Sequence, residues 1–127
     1  MFEQDYIMRV IKEMVRVILR LVFNINTESP TAELLDEKEG KETLGGLLDL
    51  VDDGNINQAQ SELFELLKQK DRISLEIALL FYSYLNDKKD EFLEENDFDR
   101  EEIKKSLKMI ISQYGLKNIV EIFLTEL

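Results

Sequence analysis

The stretch Gln4–Ile25, QDYIMRVIKEMVRVILRLVFNI, decides the fold. At about 100° per residue, Tyr6, Ile7, Met8, Val10, Ile11, Met14, Val15, Val17, Ile18, Leu19, Leu21 and Val22 cover an arc of roughly 220°. Arg9, Lys12, Glu13, Arg16 and Arg20 crowd into the remaining strip. A helix apolar over more than half its circumference has to be surrounded, by its own chain, by a second copy or by lipid. The charges between Arg9 and Arg20 exclude a membrane span. The opening MFEQDYIMR lacks the basic region that begins a secretory signal.

Outward from this helix, composition sets the class. The chain has 127 residues, 44% of them hydrophobic, with one Pro and five Gly. That suffices for one cored domain, expected over 1–127, and favours helices over a turn-rich β fold. The net charge of −11 is uneven. Up to Ile25 there are four Lys/Arg against three Asp/Glu, whereas the remainder has twelve against twenty-four. An acidic body argues against nucleic acid, which needs a clustered basic surface. Cys and His are both absent. Disulfides, thiolate or imidazole metal ligands, serine triads and the near-neutral pH switch are thereby excluded, and a reducing cytoplasm fits.

Along the chain, the first helix is expected to break at Asn24 to Asn26. Ser29-Pro30 reads as N-cap and N1 of a weak helix from Thr31 to about Glu39, with an exposed turn around Gly40. Leu44, Leu47, Leu48 and Val51 resume helical spacing up to Gly54, a candidate left-handed C′ residue. Asn55 with Gln58 reads as a capping box for a helix burying Ile56, Ala59, Leu63, Leu66 and Leu67. Ile73 to Leu85, ISLEIALLFYSYL, has almost no polar face and reads as a buried helix. Asp87 is expected to cap a short helix carrying Phe92 and Leu93. Asp99 with Glu102 opens a helix bearing Ile103, Leu107, Ile110, Ile111 and Tyr114, closed by Gly115. A last helix is expected from Leu116 to Glu126, burying Ile119, Val120, Phe123 and Leu127. The class is all-α, with six to seven helices in antiparallel hairpins.

Two resemblances follow from these residues. In TLGGLLDLVDDGNINQAQSELFELL, Gly54-Asn55 and then Ala59 fall where a tetratricopeptide repeat places its turn and the first small residue of its second helix. The repeat's small and aromatic positions on the first helix are Leu47 and Leu50 here, and its second small position is Leu66. The resemblance covers one hairpin and implies either a tetratricopeptide-like array or an irregular bundle behind a long N-terminal helix. Over the whole chain, MFEQDYIMRVIKEMVR and GGLLDLVDDGNINQAQ resemble a family of small bacterial all-helical proteins with no assigned activity. That resemblance implies a fold and carries over no functional residues.

Carboxylates are the abundant reactive groups, and none forms a recognisable site. An EF-hand loop begun at Asp53 meets Gln58 at position 6 and Phe64 at position 12; begun at Asp97, it meets Glu102 and Lys108. Gly45-Gly46 has no phosphate-loop context and reads as a close helix approach or a kink. Phe81, Tyr82 and Tyr84 read as core. No catalytic, cofactor or metal residue is assigned, and no enzymatic activity is expected. The expected role is a non-enzymatic interaction or scaffold protein that binds a partner helix or peptide in a hairpin groove, or pairs with itself as a homodimer. The alternative is peripheral attachment to a membrane surface through the first helix. The expected interaction surface is the flank of that helix comprising Tyr6, Arg9, Val10, Arg16, Val17 and Arg20.

Overall fold

Helix α1 spans Phe2–Phe23 and ends where the short polar residues begin. Asn24 takes a left-handed φ of 57°, and the Ile25 N–H donates to the Leu19 carbonyl at 3.0 Å. The computed structural model describes residues 2–118 and 121, and every regular element among them is helical. After α1 come a 3₁₀ turn, Ala32–Leu34, then α2 (Lys38–Asp52), α3 (Ile56–Leu67), α4 (Arg72–Asn86), α5 (Asp90–Glu95) and α6 (Arg100–Gln113). The expected last helix, with Ile119, Val120, Phe123 and Leu127, lies outside the described residues apart from 116–118 and 121.

The hub is α4, which packs against α1, α2, α3, α6 and the 3₁₀ turn. It buries Ser74, Leu75 and every residue from Ile77 to Ser83, then Leu85 and Asn86, so neighbours are required on all its sides. Helix α1 lies against α4 and α6 and makes no close backbone approach to α2 or α3. In a stacked repeat array each hairpin meets its sequence neighbours. Here α1 skips two helices, and the arrangement is an irregular bundle.

Several local expectations give way to tertiary demands. The helix expected from Thr31 to Glu39 is one 3₁₀ turn, because the Pro30 carbonyl accepts from Ser83 Oγ at 3.2 Å and Leu35 turns extended into the core. Gly40 is buried in the first turn of α2, whose cap is Glu37, accepting from the Gly40 N–H at 2.6 Å. Asn55 occupies the N-cap of α3 without a side-chain bond, and Gln58 turns to Glu62, so the expected capping box is not formed. Asp87 closes α4 and does not open α5, which starts after Lys89. The remaining punctuation holds. Gly54 (φ 86°) and Gly115 (φ 71°) each terminate a helix with the paired backbone bonds of a Schellman motif. Asp99 caps α6 through the Glu102 N–H at 3.1 Å.

The C-terminal end of α4 is buried, so its orphan carbonyls need protein partners, whereas Asp71 and Arg72 at its start are exposed. At the N-terminus, Asp71 accepts from the Ser74 N–H at 3.0 Å, while Tyr114 donates to the Asp71 carbonyl at 2.9 Å. At the C-terminus the partner is Arg100, 1% exposed, the first residue of α6. Its guanidinium donates to the carbonyls of Asn86 and Lys88, to Gln4 Oε1 of α1 and to the Asp90 carboxylate. Beside it Asn86 Nδ2 donates to the Met8 carbonyl at 3.1 Å, leaving Asn86 Oδ1 buried without a partner. Flipping that amide would set two acceptors face to face, so the orphan is the lesser cost.

Replacing Arg100 with Met keeps the volume and removes every donor. Urea unfolding is expected to show a loss of at least about 2–3 kcal/mol, since buried carbonyls lose their partners together. Arg100→Lys should recover only part of it, because an ammonium cannot reproduce the planar fork.

Candidate interaction site

Three glycines in α2 differ in what surrounds them. A Cβ built on Gly40 would sit 3.3 Å from both Ile73 and Leu35, so that glycine permits a close approach within the chain. At Gly45 and Gly46 a Cβ would meet nothing within 4 Å. The close approach expected at Gly45-Gly46 therefore belongs to Gly40.

Gly46 lines a groove of about 560 Å³ together with Glu42, Thr43 and Leu47 of α2, and Glu62, Glu65, Leu66 and Gln69 at and beyond α3. The α3 positions recur at i, i+3, i+4 and i+7, one face of a helix. Leu47 is buried and Leu66 half-buried, giving an apolar floor. The hairpin itself closes tightly at Gly54 and over Ala59, which is fully buried. Among the described residues, three carboxylates and no cation line the groove. Lys68 reaches Glu65 at 2.6 Å, but both side chains are about 70% exposed, so this pair neutralises little.

The expected surface on α1 is only partly formed. Tyr6 is 44% exposed, Arg9 and Arg20 are exposed, and Val10 is half-buried. Val17 is 6% exposed and corrects the expectation. The helical wheel sets it beside Tyr6, but periodicity does not encode which parts of the chain fold back over a helix. Arg16 is committed within the chain: its Nε donates to the Thr27 carbonyl at 2.9 Å, and its terminal nitrogens reach Glu13 at 2.7 Å and Glu28 at 3.1 Å. Leu21, assigned to the apolar arc, is 39% exposed.

A second cluster escaped the sequence reading. Lys88 donates to Asp52 Oδ1 at 2.7 Å, as does the Tyr84 hydroxyl, and its ammonium lies 4.7 Å from the Tyr84 ring centre and 4.9 Å from that of Phe92. The hydrogen bonds from Lys88 and Tyr84 hold the Asp52 carboxyl below its ordinary value, and the bond to Asp52 raises the Tyr84 hydroxyl. Tyr84, Lys88 and Phe92 lie on α4, in the connection after it and on α5, and Asp52 is distant in sequence, so no local signal announced the cluster. This cluster fastens the end of α2 to α4. Phe81 and Tyr82 are fully buried, edge to face at 5.0 Å, with the Tyr82 hydroxyl donating to Gln60 at 2.8 Å. Among the described residues no group of three His, Cys, Asp or Glu is placed to hold a metal, and no helix is long and apolar enough to cross a membrane.

Gly45→Ala and Gly46→Ala are each expected to raise stability by about 0.5–1 kcal/mol in urea titrations. Gly40→Val should lower it by about 1–3 kcal/mol through overpacking. For Asp52, a depressed folded pKa means stability present above the unfolded carboxylate value and lost as pH falls through the folded one. Thermal midpoints from neutral pH into strong acid should therefore decline less steeply for Asp52→Asn than for the parent chain.

A model of the family described as "Family of unknown function (DUF6483)" matches residues 1–115, which include all of α1 to α6. No curated protein and no solved structure matches. With most of its length and all of α1 to α6 inside that match, the chain belongs to this family of unknown function.

Proposed function

We propose that this chain is a non-enzymatic protein–protein interaction module whose α2–α3 groove receives a basic amphipathic helix or peptide. The observation that carries this reading is the Gly45-Gly46 pair. Each glycine inside a helix costs about 0.5–1 kcal/mol relative to Ala. Gly40 has an intramolecular reason for lacking a side chain; Gly45 and Gly46 have none. Bare backbone beside a groove suits close approach by a second backbone, as in helix-in-groove recognition. The carboxylates of Glu42, Glu62 and Glu65 select a cationic occupant. The tetratricopeptide-like turn at Gly54 and the small Ala59 support the same use of the hairpin. The absence of His and Cys supports a non-catalytic role in a reducing, cytoplasmic setting.

Membrane attachment through α1 is the weaker alternative. It draws on Arg9, Lys12 and Arg20, but Ile7, Ile11, Met14, Val15, Ile18 and Leu19 are buried in the core. Among the described residues of α1, Tyr6 and Leu21 are the large hydrophobics that are exposed, too little apolar area for stable insertion.

The test is fluorescence anisotropy with a labelled Lys/Leu amphipathic helical peptide and a Glu/Leu control. The Lys/Leu peptide is expected to bind, more weakly at higher salt. Glu62→Lys combined with Glu65→Lys should reduce affinity about tenfold or more, as each reversal replaces an attraction with a repulsion. Gly46→Leu should block binding while the circular dichroism spectrum is unchanged. Equal binding of the acidic control, or indifference to all three substitutions, would refute the groove.

A further inference from the structure

We infer that a second cavity, between α1 and the C-terminal half of α6, binds a free fatty acid. It shares no lining residue with the α2–α3 groove. Its volume is about 450 Å³, within the range of small-molecule sites. Among the described residues, Met14 of α1 with Met109 and Ile111 of α6 gives it apolar walls. Met14 is fully buried and Ile111 nearly so, which makes the floor part of the core, whereas Met109 is 43% exposed. Two methionines suit an alkyl chain, because the unbranched thioether adapts its shape to what it touches.

The charged lining identifies the head group. Gly115 ends α6 with a left-handed φ of 71°, and beyond that turn Lys117 lines the same cavity as Lys108. Both lysines are exposed, and neither forms an ion pair with a described residue. Residues 103–118 hold four Lys and no Asp or Glu, in a chain of net charge −11. Acids offset this only in part. Glu101 and Glu102 lie in the first turn of α6, away from the cavity, and Glu13, next to Met14, is held by Arg16 at 2.7 Å. Glu121 does line the cavity, so two cations face one anion there. One ligand carboxylate between Lys108 and Lys117 brings that lining to neutrality. An acidic helix would bring further carboxylates past Glu121. An apolar slot with a place for one negative charge fits a monocarboxylate on an alkyl tail.

Isothermal titration calorimetry of the full chain with decanoate, kept below its micelle threshold, tests this. Decanoate is expected to give saturable, one-to-one heat. Butyrate, which lacks the tail, and decyltrimethylammonium, which reverses the head-group charge, should give none. Lys108→Glu with Lys117→Glu should weaken decanoate about tenfold or more, and so should Met109→Glu, with circular dichroism unchanged in both. Glu62→Lys with Glu65→Lys, in the other groove, should leave decanoate binding as in the parent. No saturable decanoate heat, equal heat from decyltrimethylammonium, or indifference to the Lys and Met109 substitutions would overturn the inference. So would an acidic helical peptide that binds through Lys108 and Lys117 where decanoate does not. None of these outcomes bears on the α2–α3 groove, whose peptide test stands separately.

Discussion

A helix with almost no polar side dictates the architecture. Every side of α4 carries buried residues, and a helix of that kind is stable only when other helices enclose it. Enclosure then creates a second demand at its buried C-terminal end, where carbonyls lose contact with water. Arg100 answers it by donating to the Asn86 and Lys88 carbonyls. The start of α6 is thereby set against the end of α4. The same guanidinium reaches Gln4, and Asn86 reaches the Met8 carbonyl, so α1 is held to this junction by polar contacts as well as by its apolar arc.

Most helices were legible because their signals are local. The apolar arc of α1, the Asp99 cap and the Gly54 and Gly115 stops each act within a few residues of themselves. What escaped depends on distant partners. Pro30 was read as a helix start, yet its carbonyl is taken by Ser83. Gly40 was read as a turn, yet it is a contact with Ile73 across the bundle. Arg100 is the first residue of α6, and nothing near it in sequence announces that four separate groups will depend on it. The centrality of α4 over α1 was likewise hidden, since apolarity shows that a helix needs covering but not how many neighbours will cover it.

The candidate site divides in the same way. Arg9 and Tyr6 on α1 were legible as an outward strip, and Val17 was not, because burial comes from the rest of the chain. The groove was legible only in part. The hairpin and its turn could be read from Gly54 and Ala59, whereas the open space at Gly45 and Gly46 appears only once α3 is in place. Glycine in a helix has opposite meanings at Gly40 and Gly46, and only the surroundings tell them apart. Where a neighbour presses on the missing Cβ, glycine serves packing. Where nothing does, its helix-propensity cost finds no compensation inside the chain.

Charge then restricts how any encounter can occur. Two bodies of net charge −11 repel at approach distances comparable to the Debye length, about 8 Å at physiological salt. Most relative orientations bring carboxylate faces together and are disfavoured before contact. In the groove proposed above, a partner that presents positive charge to Glu42, Glu62 and Glu65 would meet the opposite local sign, so repulsion elsewhere would select that pose. Under that proposal the acidity would add specificity by suppressing the alternatives instead of strengthening the favoured contact. An acidic partner would be disfavoured before contact, and a basic, amphipathic helix would not.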